Sequence, residues 1–404
     1  MARVRRLGPL LAGLGVLAGV AVAVAAVHAA DVTAMSPIRP PGGWRPAFIA
    51  AVAAAFVLYL GGLLVLVRRP VRVGPVVAIA VAIQLAPLAA PLLLSTDAYS
   101  YWDYGRVAVV HGGNPYGDRP NRWPDDPAYR RMGADWHEKR SVYGPVFTLA
   151  SEGDAELAGS SSRTATFLFR LLAAAGMVVL VAATAVASRG SAFATGFVGW
   201  NPLLALHFAG GGHNDAPMMA FALCALALGR MGRGRLEGAA WAGALSVKLI
   251  PAVFLTLRAL ELRRRRELAP RAAGLALAAA LVAAVASLRY GTAWLGVLSP
   301  LGNQLRQTSS LGLPYWLGRA GVPEHAARDG LVVLFALLYL WLLREAWRGR
   351  ARLGLCAVGL LLATSWLQPW YAVWAVPFAA LEEDRAARFG ALALSAYFLQ
   401  DALP

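Results

Sequence analysis

Charge is scarce in this chain. Of its 404 residues only 15% are Asp, Glu, Lys or Arg, where a soluble domain carries about a quarter. Cysteine is nearly missing. Cys224 and Cys356 both sit inside apolar runs, and no Cys-x-x-Cys or Cys/His spacing accompanies them. That excludes a Cys/His metal site and leaves two small core residues. The alternating ten-residue segments of a β-barrel are absent. So are an internal repeat and an appended soluble domain.

What fills the chain instead is apolar. Hydrophobic residues make up 58% and mean hydropathy is +0.54. Long apolar runs recur from end to end, as in a polytopic α-helical membrane protein. Hydrocarbon offers no partner for backbone N–H and C=O groups, and a helix satisfies them internally. The formal charge of +16 does not point to nucleic acid. The arginines sit in short clusters between apolar runs, the pattern that anchors topology beside anionic lipid.

Those clusters order the spans. Arg3, Arg5 and Arg6 precede an apolar run at 8–30, read as a first helix with a cytoplasmic N-terminus rather than a cleaved signal peptide. A second span, 47–67, ends at Arg68, Arg69 and Arg72. A third, 74–95, therefore emerges outside at Ser95-Thr96-Asp97. The polar stretch 96–145 is too long for a simple connector and reads as a functional loop, followed by a short interfacial helix at 146–158. Spans at 164–187, 191–209 and 214–229 come next. The segment around Lys248 and Pro251 reads either as one crossing or as a hairpin of two short helices. The hairpin keeps Arg263–Arg266 inside and respects Pro251. Further spans lie at 271–288, 327–347, 353–367, 370–382 and 387–402. The expectation is an all-α, single-domain (1–404) polytopic membrane protein of about 13 transmembrane helices. Residues 96–162 form its extracytoplasmic loop.

With that topology the unusual polar residues gather outside: Asp97, Asp103, Asn114, His137, Tyr143, His213, Asn214, Asp215, Arg306, Gln368 and Trp370. A carboxylate where the apolar run stops needs a reason. Asp97 either caps a helix starting at Ala98 or does chemistry. The loop's aromatics suit a sugar's CH faces, or a membrane-interface belt. "GHND" at 212–215 either lines a pocket or caps the next helix. Asp103 either helps hold an acceptor or belongs to an ordinary polar helix face.

Six motifs occur in order: "STDAYSYWDYGRVAVVHGGNPY" from Ser95, "YGP" at Tyr143–Pro145, "WNPL" at Trp200–Leu203, "GHNDAPMM" at Gly212–Met219, "VKLIP" at Val247–Pro251 and "QPWYAVW" at Gln368–Trp374. Together they resemble the polyprenyl-phosphate-mannose-dependent mannosyltransferases of the GT-C superfamily, and within it the actinobacterial α-mannosyltransferases that build lipoglycans. The similarity runs from about 75 to 380 of the chain. The stretch "ASEGDAELAGSSS" after Pro145 is more polar than such relatives usually have.

The resemblance implies a GT-C-like fold with its site on the extracytoplasmic face of the cell membrane. Asp97 matches the family's general base. The implied reaction inverts: mannose passes from polyprenyl-phosphate-mannose to a lipid-linked mannoside or glycan acceptor, forming an α-linkage. Physical chemistry agrees, since a carboxylate within reach can take the proton of an attacking hydroxyl. The leaving lipid phosphate needs a cation or donor. Arg306, His213 and Lys248 are candidates, although Lys248 would alternatively snorkel to the cytoplasmic surface. Tyr101, Asp103, Asn114, Tyr143, Asn214, Asp215, Gln368, Trp370 and Tyr371 complete the expected donor and acceptor contacts. A divalent ion shared by Asp97, Asp103 and Asp215 is conceivable, but relatives with lipid-monophosphate donors do without one, so no metal or other cofactor is expected. Other readings are a transferase of arabinose or glucose, or a lipid or sugar transporter. A transporter would place its ionisable residues near the midplane and often show repeats.

Overall fold

A computed structural model describes residues 2–29, 44–69, 71–263, 268–298 and 307–402. Among them every regular element is helical. Five helices are long and apolar enough to cross a membrane: within α1 (Ala2–Ala29) the stretch Gly8–His28, then α2 (Trp44–Arg68), α6 (Ser162–Ala187), α12 (Leu268–Tyr290) and α14 (Glu324–Trp347). Between these run shorter ones. They are α3 (Val73–Leu85), α4 (Asp97–Val109), α5 (Pro145–Ala158), α7 (Ala192–Gly199), α8 (Pro202–Ala205), α9 (Asp215–Arg230), α10 (Gly234–Val247), α11 (Pro251–Leu262), α13 (Leu313–Arg319), α15 (Leu353–Ala363), α16 (Ala372–Leu381) and α17 (Arg385–Ala402).

Local chemistry sets many of these boundaries. Ser161 and Ser191 cap α6 and α7, their hydroxyls each accepting a backbone N–H at 3.2 Å. Prolines open α5, α8 and α11, where a missing N–H costs nothing. Several runs that read as single spans are broken. The run 74–95 is α3 followed by a 3-10 turn, Ala86–Ala89. The run 191–209 breaks at Trp200-Asn201 and ends in a π turn, Leu206–Gly210. Arg170 of α6 serves that irregular backbone, donating to the carbonyls of Ala209 at 2.8 Å and Pro87 at 2.5 Å. Non-helical backbone survives at membrane depth only where protein or a cavity satisfies it.

Around Lys248 the chain makes a hairpin. Glu237, near the start of α10, accepts a hydrogen bond at 3.1 Å from Arg258, near the end of α11. Both helices therefore begin and end at one end of the bundle. There, Arg189, Arg230, Arg233, Arg235, Arg258 and Arg271 surround a single opening. Arg352, before α15, pairs with Asp384, before α17, at 2.9 Å. Six arginines from four stretches of the chain thus share one face. Lys248 lies at the other end, so it does not snorkel toward the arginine face.

Candidate active site

At the end away from the arginines, the broken helices surround a cavity of about 630 Å³. Asp97, Tyr101, Tyr143, Asn214, Asp215, Lys248, Gln368, Trp370 and Tyr371 all line it. These residues come from five separate sequence motifs. Arg119, Glu138, Lys139 and Arg140 of the long loop add charge to its wall.

Asp97 is the first residue of α4, where free N–H groups favour a carboxylate. Its backbone N–H donates to the Ser95 hydroxyl at 3.0 Å. Its side chain is 16% exposed. The Tyr101 hydroxyl, one turn on, donates to Asp97 Oδ2 at 3.3 Å. His213 Nδ1 lies 3.2 Å from the same oxygen, without the alignment of a hydrogen bond. Burial, then the neighbouring Asp97 carboxylate, push the Tyr101 and Tyr143 phenols well above their ordinary range. Both stay protonated, and Tyr101 remains a donor.

His213 is fully buried and stacks on Trp370, with ring centroids 3.6 Å apart and planes 13° from parallel. Beside it, Asn214 is 1% exposed, and neither end of its amide has a protein partner. A buried amide of this kind suits a hydroxyl of a bound ligand.

Asp215 opens α9 and is wholly buried. Lys248 Nζ donates to its two oxygens at 3.0 and 3.2 Å, and Trp374 Nε1 donates at 2.8 Å. Lys248 ends α10 in extended backbone. Its ammonium lies 4.9 Å from the Tyr371 ring centroid and 5.5 Å from that of Trp374. Those two rings stack at 4.1 Å. An ammonium has three N–H groups. Two go to Asp215, and the cavity is open to the head group.

The "YGP" motif seats the loop on this hairpin. Gly144 N–H donates to the Val247 carbonyl at 2.9 Å. A Cβ at Gly144 would stand 2.2 Å from the Ser246 carbonyl oxygen, so only glycine permits the approach. Pro145 then starts α5.

Three candidates are not in the cavity lining: His213, which adjoins Asp97 and Trp370, Asn114 and Asp103. Asn114 is spent on its own loop. Its amide donates to the Tyr290 carbonyl at 2.9 Å and accepts from Tyr116 N–H at 3.1 Å. Asp103 is 2% exposed on the far side of α4. Burial and then Asp126 raise its carboxyl to about 7, against Arg106. Arg106 itself holds Asp126 at 2.8 Å, which braces the loop. Asp97, Asp103 and Asp215 do not converge, and among the described residues no three His, Cys, Asp or Glu side chains form a metal-sized group. Arg306 lies outside the described residues. Sequence reasoning passed over Trp374 and His207 as site residues. Trp374 follows Tyr371 by three, the spacing that puts two residues on one helix face. His207 is fully buried, 6.1 Å from His213 and 6.0 Å from Trp370 between ring centroids. No sequence signal marks it beyond a histidine in an apolar run.

Comparison with known proteins bears on this geometry. Residues 12–264 match the family described as "Alpha-(1->6)-mannopyranosyltransferase, N-terminal domain". Alpha-(1->6)-mannopyranosyltransferase B of Corynebacterium glutamicum is 26% identical over 366 residues, covering 78% of this chain and 60% of the relative. Alpha-(1->6)-mannopyranosyltransferase A of Mycobacterium tuberculosis is 30% identical over 343 residues, covering 72% of this chain and 63% of the relative. The chain spans about three fifths of the length of these relatives. No solved structure matches it. The matched region carries the cavity's Asp97, Asp215 and Lys248 and the adjoining His213, and the chain belongs to the alpha-(1->6)-mannopyranosyltransferase family.

Proposed function

We propose that this protein transfers mannose, in an inverting reaction, from polyprenyl-phosphate-mannose to a lipid-linked mannoside or glycan, forming an α-mannosidic bond. The single observation that carries the reading is one cavity with a partly buried carboxylate, Asp97, and a partly buried ammonium, Lys248, in its wall. In a transferase of this kind the acceptor hydroxyl attacks the anomeric carbon opposite the phosphate. The new C–O bond forms as the bond to phosphate oxygen breaks. The hydroxyl proton passes to Asp97, which accepts a hydrogen bond from Tyr101 and lies against His213. The electron pair leaves on the lipid phosphate, whose charge Lys248 faces. Asn214 and Gln368 suit the sugar's hydroxyls, and Trp370 and Tyr371 its CH faces. No divalent metal or other cofactor enters this scheme.

The arginine face is then cytoplasmic and the cavity extracytoplasmic. Residues 96–162 form the loop over the site, and the short helices complete a fold of about 13 spans. Mannose is favoured over arabinose or glucose by the family. A transporter is disfavoured by the cavity's place at one end of the bundle.

The test is direct. Membranes holding the protein are given radiolabelled polyprenyl-phosphate-mannose and a lipid-linked mannoside. Asp97→Asn should keep the thermal midpoint and lose transfer by about 1,000-fold. Transfer within about two-fold of wild type would remove Asp97 as base and end the reading.

A further inference from the structure

The opening at the arginine end is larger than the catalytic cavity, at about 1050 Å³. Two of its arginines are neutralised. Arg258 pairs with Glu237 and Glu261, and Arg271 with Glu237. Arg189, Arg230, Arg233 and Arg235 are exposed, and no ion pair joins them to a carboxylate among the described residues. Arg189 sits at φ +57°, a left-handed conformation that glycine adopts freely and an arginine only with strain. The helix end is closed there by Gly190 N–H on the Ala185 carbonyl at 2.8 Å. An arginine is thus retained at the rim where glycine would fit better.

A second opening of about 480 Å³ adjoins it, between α10, α11 and α12. Its walls are apolar, with Trp241, Leu255, Leu260 and Leu275 among them. Arg258, Leu262 and Arg271 border both spaces. A pocket with four uncompensated guanidinium groups therefore abuts a greasy slot, with Arg258 and Arg271 at their common border. A free anion would use only the first part, and a neutral lipid only the second. An anionic amphiphile uses both.

We propose that an anionic phospholipid of the leaflet at the arginine end binds here as a discrete ligand. Its phosphate lies among Arg189, Arg230, Arg233 and Arg235, and one acyl chain lies in the slot between α10, α11 and α12. This site is at the opposite end of α9 from Asp97, so it is separate from the donor cavity.

The test uses the full chain in neutral detergent, titrated with dioleoyl phosphatidylglycerol or dioleoyl phosphatidylcholine and read by native mass spectrometry. Phosphatidylglycerol should bind about ten-fold tighter. The double variant Arg230→Gln/Arg233→Gln should weaken it about ten-fold. Ala272→Trp, at an exposed position lining the slot, should weaken it as well. Arg68→Gln/Arg69→Gln, equal in charge and lining neither space, should leave it unchanged. Equal loss in both double variants would mean general charge attraction and overturn the proposal. Displacement of the lipid by millimolar inorganic phosphate, with Ala272→Trp binding normally, would mean a free-anion site and overturn it too.

Discussion

The imidazole of His213 lies flat on the indole of Trp370, 3.6 Å between centroids, with its Nδ1 edge 3.2 Å from Asp97 Oδ2. A stacked ring has one edge to offer. Trp370 therefore bears on the orientation of Asp97 through His213, from a part of the chain 273 residues further on.

Removing that wall should misplace the base. Trp370→Ala is expected to lower mannosyl transfer about 100-fold, while Trp370→Phe, which still stacks, should stay within about ten-fold. Initial rates at saturating donor, with thermal midpoints as a folding control, decide it. Equal rates in the two variants would deny the stack any role.

Lys248 and Asp215 should behave as a unit. Lys248→Met leaves a wholly buried carboxylate unpaired, an expected loss of about 3–5 kcal/mol of stability. Adding Asp215→Asn removes that charge and should restore most of the stability, because the amide oxygen still accepts from Trp374. On the proposed mechanism transfer should not return, since the ammonium that faces the phosphate would be gone. Chemical denaturation alongside the transfer assay separates the two roles.

Gly144→Ala should act at a distance from the chemistry. The new methyl pushes on the Ser246 carbonyl and shifts the extended segment that carries Lys248. We expect about 10- to 100-fold lower transfer, with loosened packing of the long loop seen as faster proteolysis between 96 and 162. Wild-type activity would show that the loop and hairpin move independently.

Asp103 should appear in pH–stability curves rather than in the reaction. Its carboxyl rises from an ordinary 3.8 to about 7 in the folded protein. Between those values the folded state binds the extra proton, so stability falls as pH rises through that window and levels off above it. Asp103→Asn should therefore be more stable than wild type at pH 8, with the difference shrinking toward pH 5. A pH-independent difference would contradict this, as would lost transfer in the folded variant.

Much of the cavity was legible because polar residues in an apolar chain stand out. Asp97, His213, Asp215, Lys248 and Trp370 each interrupt grease, and the arginines indicate which end they share. The hairpin at Lys248 followed from Pro251 and from arginine bookkeeping. What the residues could not show was which polar atoms are spent elsewhere. Asn114 looks like a ligand contact but ties its own turn to Tyr290. Asp103 shares a helix with Asp97 yet lies six residues on, so its side chain leaves from another face. Helix breaks were equally hidden. An apolar run reads the same whether it is one span or a short helix with a π turn. Arg170, which makes the break tolerable, is 39 residues from the carbonyl it holds.

The length of α9 has a consequence for the lipid around it. Its 16 residues reach about 24 Å, from Arg230 on the arginine face to Asp215 under the cavity. A bilayer's hydrocarbon layer is about 30 Å thick. With Arg230 at one headgroup level, the floor of the cavity stops about 6 Å short of the other. On the proposed mechanism, the phosphate of a polyprenyl donor would meet that floor without leaving its leaflet, and a thicker bilayer would set the floor deeper for a lipid-linked acceptor.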